Sequence, residues 1–126
     1  MDINDILNIE PYRLDKDAKR SMLNARLREL TQLHYAQCEP YRRMMDAVGL
    51  DVNNLPDYES LPFLPVRLFK ELELRSCAAE DVVKTMTSSG TTGQQVSRIY
   101  RDRETSAWHT RCLTKVVSAF IGTQRV

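Results

Sequence analysis

The sequence predicts an α+β fold: a helical N-terminal half, then a β-hairpin carrying a polar loop, then a packing helix. Three observations predict it. Leu23, Leu27, Leu30 and His34 recur at the 3–4 spacing of one helix face. Two short β-prone runs, Val82 to Met86 and Val96 to Tyr100, flank a loop rich in glycine and hydroxyl groups. After them Trp108, Cys112, Val116 and Phe120 again fall on one helical stripe, with Leu113 and Val117 beside it.

Taken in order, residues 2–9 predict a short amphipathic helix on Ile3, Ile6 and Leu7, ended by Pro11. Asp15 suits an N-cap, with Asp17 in the first turn where the helix dipole favours negative charge. That helix runs to about Gln37. Pro40 starts the next, carrying Tyr41, Met44, Met45 and Val48, and Gly49 is placed to stop it. Residues 51–65 hold Pro56, Pro62 and Pro65 with Leu55, Tyr58, Leu61, Phe63 and Leu64. So many apolar side chains predict an ordered loop packed over the surface. Residues 66–70 predict one helical turn. Leu72 and Leu74 alternate with Glu71, Glu73 and Arg75, which predicts a short strand. Asp102 caps the last helix, Glu104 lies in its first turn, and Gly122 ends it. Trp108 and Phe120 are expected in the core.

The chain has 126 residues, 42% of them hydrophobic and 28% charged, which fits one globular domain. A chain of this size buries about 65–70% of its unfolded surface, enough for a core without staples. The net charge of +1 exerts no global pull toward nucleic acid or membrane. Charge is uneven, however. Residues 1–84 hold 12 Lys and Arg against 15 Asp and Glu, whereas residues 85–126 hold 6 against 2. The basic stretch suits a polyanion such as a nucleotide, although charge alone favours a solvated face. Cys38, Cys77 and Cys112 form neither a metal spacing nor a disulfide framework, so a reducing, cytoplasmic setting fits. The acidic N-terminus has no secretory pattern, and no stretch reaches the length of a membrane span.

The most specific local feature is Thr87-Ser88-Ser89-Gly90-Thr91-Thr92-Gly93-Gln94-Gln95. Gly90 and Gly93 permit close backbone approach, and Ser88, Ser89, Thr91 and Thr92 add hydroxyl donors. Such a loop can wrap a phosphate chain; the same composition also serves a polar hairpin turn. It is no Walker loop, because the Gly-Lys-Ser/Thr ending is missing. Ser89 lacks the Gly-x-Ser-x-Gly elbow of a nucleophile. His34 and His109 lie on separate helices with no carboxylate pattern, so helix-packing or surface roles are expected of them.

The run from Ser88 to Gly93 resembles the phosphate loop of the adenylate-forming ligases, whose pattern is Ser/Thr-Ser-Gly-Thr-Thr/Ser-Gly. Residues 61–70, Leu-Pro-Phe-Leu-Pro-Val-Arg-Leu-Phe-Lys, resemble the stretch before that loop in acyl-protein synthetases of the LuxE type. Phenylacetate-CoA ligases carry a looser version. Ser97-Arg98-Ile99-Tyr100 also suits the acyl-protein synthetase branch. The resemblance spans roughly residues 55–120. It implies an α/β ligase larger than this chain, with residues 1–54 as a helical N-terminal region and 55–126 as the start of the adenylate-forming domain, truncated at 126.

The resemblance further implies ATP and Mg2+ as cofactors and a fatty carboxylic acid as substrate. An acyl-adenylate is formed and its acyl group is passed to a protein thiol. In that family the acceptor is a cysteine of the enzyme, then one on a partner such as a reductase. Ser88, Ser89, Gly90, Thr91, Thr92 and Gly93 would then bind phosphate, and no residue here is assigned a catalytic or metal-ligating role. The chain departs from the wider pattern after the second glycine. Gln94, Gln95 and Val96 stand where many such ligases have Pro and Lys, and Arg98 is one available substitute. The 126-residue chain alone is expected to be inactive and, with an unpaired hairpin and an uncovered apolar face, to self-associate. Two other functions fit the residues: part of an aryl- or acyl-CoA ligase, and a non-catalytic helical interaction module.

Overall fold

The structure, a computed structural model, describes residues 2–90 and 95–124. Its elements are α1 (Ile3–Asn8), α2 (Lys16–Gln37), α3 (Glu39–Ala47), α4 (Leu68–Glu71), β1 (Val82–Thr87), β2 (Arg98–Asp102) and α5 (Arg103–Ile121). Short 3₁₀ turns lie at Tyr58–Ser60 and Ala79–Asp81. The fold is α+β.

Local chemistry explains most of the boundaries. Asp2 accepts from the Asn4 N–H and exchanges a capping box with Asp5 at the start of α1. Asp15 accepts from the N–H groups of Asp17 and Ala18 at 3.0 and 2.9 Å, satisfying two orphan donors of α2. The single residue Cys38 joins α2 to α3. Its N–H donates to the His34 carbonyl and its carbonyl accepts from the Arg42 N–H, so one helix closes as the next opens. Gly49, at φ 72°, takes the left-handed position beyond α3 that glycine tolerates best. Asp102 accepts from the Thr105 N–H at 2.8 Å and caps α5.

The core sits at the α2–α3 junction under the 51–65 loop. Cys38, Met45 and Leu55 are buried there, Met45 with only 1% of its surface exposed. Thr31 joins them by returning its hydroxyl to the Leu27 carbonyl at 2.7 Å. The loop is tied to α2, as its apolar content predicts. Gln32 donates to the Val52 carbonyl, Asn24 accepts from the Tyr58 N–H at 2.7 Å, and Arg20 pairs with Asp57 and Glu59. The Arg20 guanidinium also lies 5.8 Å from the centre of the Tyr58 ring.

Beyond the loop, β1 and β2 pair antiparallel, with Lys84 opposite Arg101, Thr85 opposite Tyr100, Met86 opposite Ile99 and Thr87 opposite Arg98. Val82 pairs with Asp102, so Val83 is an extra residue and forms a bulge at the hairpin base. By the pleat, Lys84, Met86, Ile99 and Arg101 share one face. Helix α5 packs against both strands, and α4 packs against β2. Helix α1 lies along α5: Arg111 donates to Asn4 at 3.0 Å, Lys115 reaches the Leu7 carbonyl, and the Tyr12 and Phe120 rings meet edge to face at 5.8 Å.

Two expectations fail. Residues 72–75 are not a strand: Leu72 closes α4, and Arg75 turns back to the Cys77 carbonyl and to Glu73. Among the described residues their alternation has no partner strand to meet. The α5 stripe is also less buried than its spacing predicts. Trp108 and Val116 are half-buried, Cys112 is exposed, and Phe120 is 74% exposed. Among the described residues, only short α1 and Tyr12 reach that end of α5, so the apolar face extends past its cover. Among the described residues no helix is long and apolar enough to cross a membrane.

Candidate functional site at the hairpin mouth

The polar loop leaves β1 at Ser88 and rejoins the sheet at β2. Of the six residues singled out, Ser88, Ser89 and Gly90 are described and all three are exposed. Thr91, Thr92 and Gly93 lie outside the described residues. Ser88 does more than present a hydroxyl. Its N–H donates to the Ser97 carbonyl at 3.2 Å, and its Oγ accepts from the Ser97 N–H at 3.0 Å. This pair closes the hairpin mouth with a side chain in one half of a ladder rung. Ser97 is buried, with 9% of its surface exposed, so that rung is its shelter from water. The Ser88 hydroxyl hydrogen stays available to donate, because only its oxygen is used. Ser89 and Gly90 stand beyond the rung and face solvent.

Arg101 lies further down the same hairpin and is 8% exposed. Its Nη1 donates to His109 Nδ1 of α5 at 2.8 Å. Arginine has no acceptor, so His109 Nδ1 accepts and Nε2 carries the proton. Arg101 Nε is buried without a hydrogen-bond partner among the described residues. The contact ties β2 to α5 and fixes the base from which the loop projects. His34 is equally structural. It sits 42 residues from Ser76 in sequence, yet its Nδ1 meets the Ser76 Oγ at 2.7 Å, and Tyr41 packs against its ring edge to face. Burial, and secondarily the charge of Arg26, pushes the His34 pKa below its ordinary 6.5. The two histidines thus serve different elements, as their positions on separate helices predict.

Sequence reasoning missed one part of the site. A cleft of about 370 Å³ opens between α4 and the returning arm of the loop, lined by Arg67, Lys70, Glu71 and Gln95. Arg67 Nε donates to Glu71 at 2.6 Å, so these two largely satisfy each other. Arg98, the substitute cation considered from sequence, is exposed on β2 and does not line this cleft. Among the described residues, no group of three or more His, Cys, Asp and Glu is placed to hold a metal ion. All three cysteines are free.

Ser88, Ser89 and Gly90 thus lie exposed at the mouth of a clamped hairpin that α5 backs, and Gln95 lines a cleft with Arg67, Lys70 and Glu71. The acyl-protein synthetase (LuxE) family matches residues 1–126, and the chain belongs to it. The long-chain-fatty-acid–luciferin-component ligase of Aliivibrio fischeri is 31% identical over 104 residues, covering 81% of this chain and 27% of that protein. The protein of the same name from Photorhabdus luminescens is 33% identical over 70 residues, covering 56% of this chain and 59% of that protein. The phenylacetate-coenzyme A ligase of Thermus thermophilus is 30% identical over 89 residues, covering 64% of this chain and 20% of that protein. The chain therefore spans only part of the length of each relative. No solved structure matches it.

Proposed function

We propose that this chain is the N-terminal part of an ATP-dependent acyl-activating ligase, with residues 88–93 holding the phosphates of ATP. Its carrying observation is the family match over the whole chain, joined to a hairpin mouth that leaves Ser89 and Gly90 open to solvent. Residues 1–54 form the helical N-terminal region and 55–126 begin the adenylate-forming domain. A carboxylate oxygen of a fatty acid attacks the α-phosphorus of ATP, the bond to the β-phosphate breaks, and pyrophosphate leaves. A thiol then attacks the acyl carbon of the adenylate and AMP departs. The loop's part is positioning and charge stabilisation, which phosphoryl chemistry chiefly needs. Mg2+ would enter with the phosphates, as that ion commonly does, keeping several waters.

The thiol belongs to a protein: first a cysteine of the enzyme, then one of an acceptor such as a reductase. Three free cysteines fit a reducing, cytoplasmic setting. A second reading has an observation of its own. The 30% identity with a phenylacetate-coenzyme A ligase favours coenzyme A as the acceptor and an aromatic acid as substrate. Acid-dependent ATP–pyrophosphate exchange by the full-length protein tests both. Fatty acids supporting exchange favour the first reading, and aromatic acids alone favour the second. No exchange with either removes both.

A further inference from the structure

We infer that the outward face of α5, from Thr110 to Ile121, is a dry packing seam for the part of the same polypeptide beyond residue 126. The inference rests on the reading above of this chain as the N-terminal part of a longer protein. It starts from spacing and exposure. Leu113, Val117 and Ile121 recur every fourth residue, so they line one side of the helix. They are 65%, 41% and 73% exposed. Thr110 and Thr114 stand among them and are exposed too.

Two further observations separate this face from an ordinary solvated one. The first is charge. Past its first turn, α5 has Arg111 and Lys115 as its charged residues, and both turn to α1, at Asn4 and at the Leu7 carbonyl. His109 is engaged by Arg101 at 2.8 Å. The outward face is left without a charge, whereas a helix face turned to water normally carries several. The second is hydrogen bonding. Thr110 Oγ1 donates to the Ser106 carbonyl at 3.1 Å, and Thr114 Oγ1 donates to the Thr110 carbonyl at 2.9 Å. Hydroxyls bonded back to their own helix can be buried without losing a partner. An uncharged face of aliphatic side chains and satisfied threonines matches the core of a permanent interface, which is more apolar than a transient one. The length of chain available argues for the occupant. The matched region covers 27% of the Aliivibrio fischeri relative and 20% of the Thermus thermophilus relative, so most of each of those polypeptides lies outside it. Chain joined covalently to α5 meets this face at high effective concentration, ahead of a second copy or a foreign protein.

Cross-linking in the full-length protein tests this. A photo-activated diazirine side chain replaces Leu113 or, separately, Ile121, an isotopically heavy copy is mixed in, and mass spectrometry identifies the joined peptides. Cross-links within one copy to peptides beyond residue 126 are expected. Cross-links between heavy and light copies overturn the inference in favour of a second copy. Insertion into water alone, or only into residues 1–126, overturns it as well. Leu113→Ala gives an independent reading. On a packed face it leaves a cavity and should lower the melting temperature of the full-length protein by about 5 °C. On a free face alanine is at least as good a helix former, so an unchanged melting temperature overturns the inference. Acid-dependent exchange in a protein whose α5 face reacts only with water would discard the seam alone. Cross-links beyond residue 126 without exchange would keep the seam and discard the ligase reaction alone.

Discussion

Ser88→Ala takes one atom from the hairpin mouth and has a calculable effect. The Ser88 Oγ is the acceptor for the Ser97 N–H at 3.0 Å, and Ser97 is only 9% exposed. Deleting that acceptor leaves a buried N–H without its partner, which costs about 1–3 kcal/mol. Ser88 is itself exposed, so water can reach part of the gap and the cost belongs at the lower end, about 1 kcal/mol. The reverse bond, Ser88 N–H to the Ser97 carbonyl at 3.2 Å, survives because alanine keeps its backbone. The mouth should therefore loosen without separating the strands. A change of about 1 kcal/mol is about fivefold in a local opening equilibrium. Hydrogen exchange of the peptide containing Ser97, in the full-length protein, reads that directly. About fivefold faster exchange at Ser97, with little change at Tyr100, is expected. Unchanged exchange at Ser97 would refute the view that Ser88 clamps the hairpin.

Other expectations follow from the same structure. His34 is partly buried and its pKa lies below 6.5, so between that value and its lowered folded value the unfolded chain binds a proton the folded chain does not. Stability should fall as pH drops through that window and level off below it. His34→Gln should flatten the slope, and parallel stability–pH curves for the two proteins would count against it. Leu113, Phe120 and Ile121 on α5 and Met86 and Ile99 on the hairpin are exposed, so residues 1–126 in isolation should self-associate. Light scattering showing a monomer at high concentration would contradict this. Gly90→Val, in the full-length protein, should block close backbone approach to phosphate and cut acid-dependent exchange at least tenfold with the melting temperature retained. Full activity in that variant would remove the loop from the reaction.

Much of the fold was legible because its punctuation is local. Asp15, Pro40, Gly49, Asp102 and Gly122 act within a residue or two of themselves, and each marks the helix end its chemistry predicts. What failed depends on distant partners. Alternation at residues 71–75 is compatible with a strand, yet among the described residues no neighbouring strand meets it. The stripe on α5 is drawn correctly as a face, but its burial depends on what lies opposite, and among the described residues only α1 and Tyr12 reach its C-terminal end. The site divides in the same way. The run from Ser88 to Gly93 is visible as composition. The closing of Ser88 onto Ser97, nine residues away, needs the hairpin register. Placing Lys70 beside Gln95 needs α4 packed on β2.

The central claim is that the hairpin loop serves acid activation by ATP. Acid-dependent ATP–pyrophosphate exchange by the full-length protein, with Mg2+ and a panel of fatty and aromatic acids, tests it most directly. Exchange that requires an acid, is fastest with fatty acids and falls in Gly90→Val is the predicted result. A folded protein that shows no exchange with any acid would contradict the claim, leaving the loop a structural turn and the chain a helical interaction module.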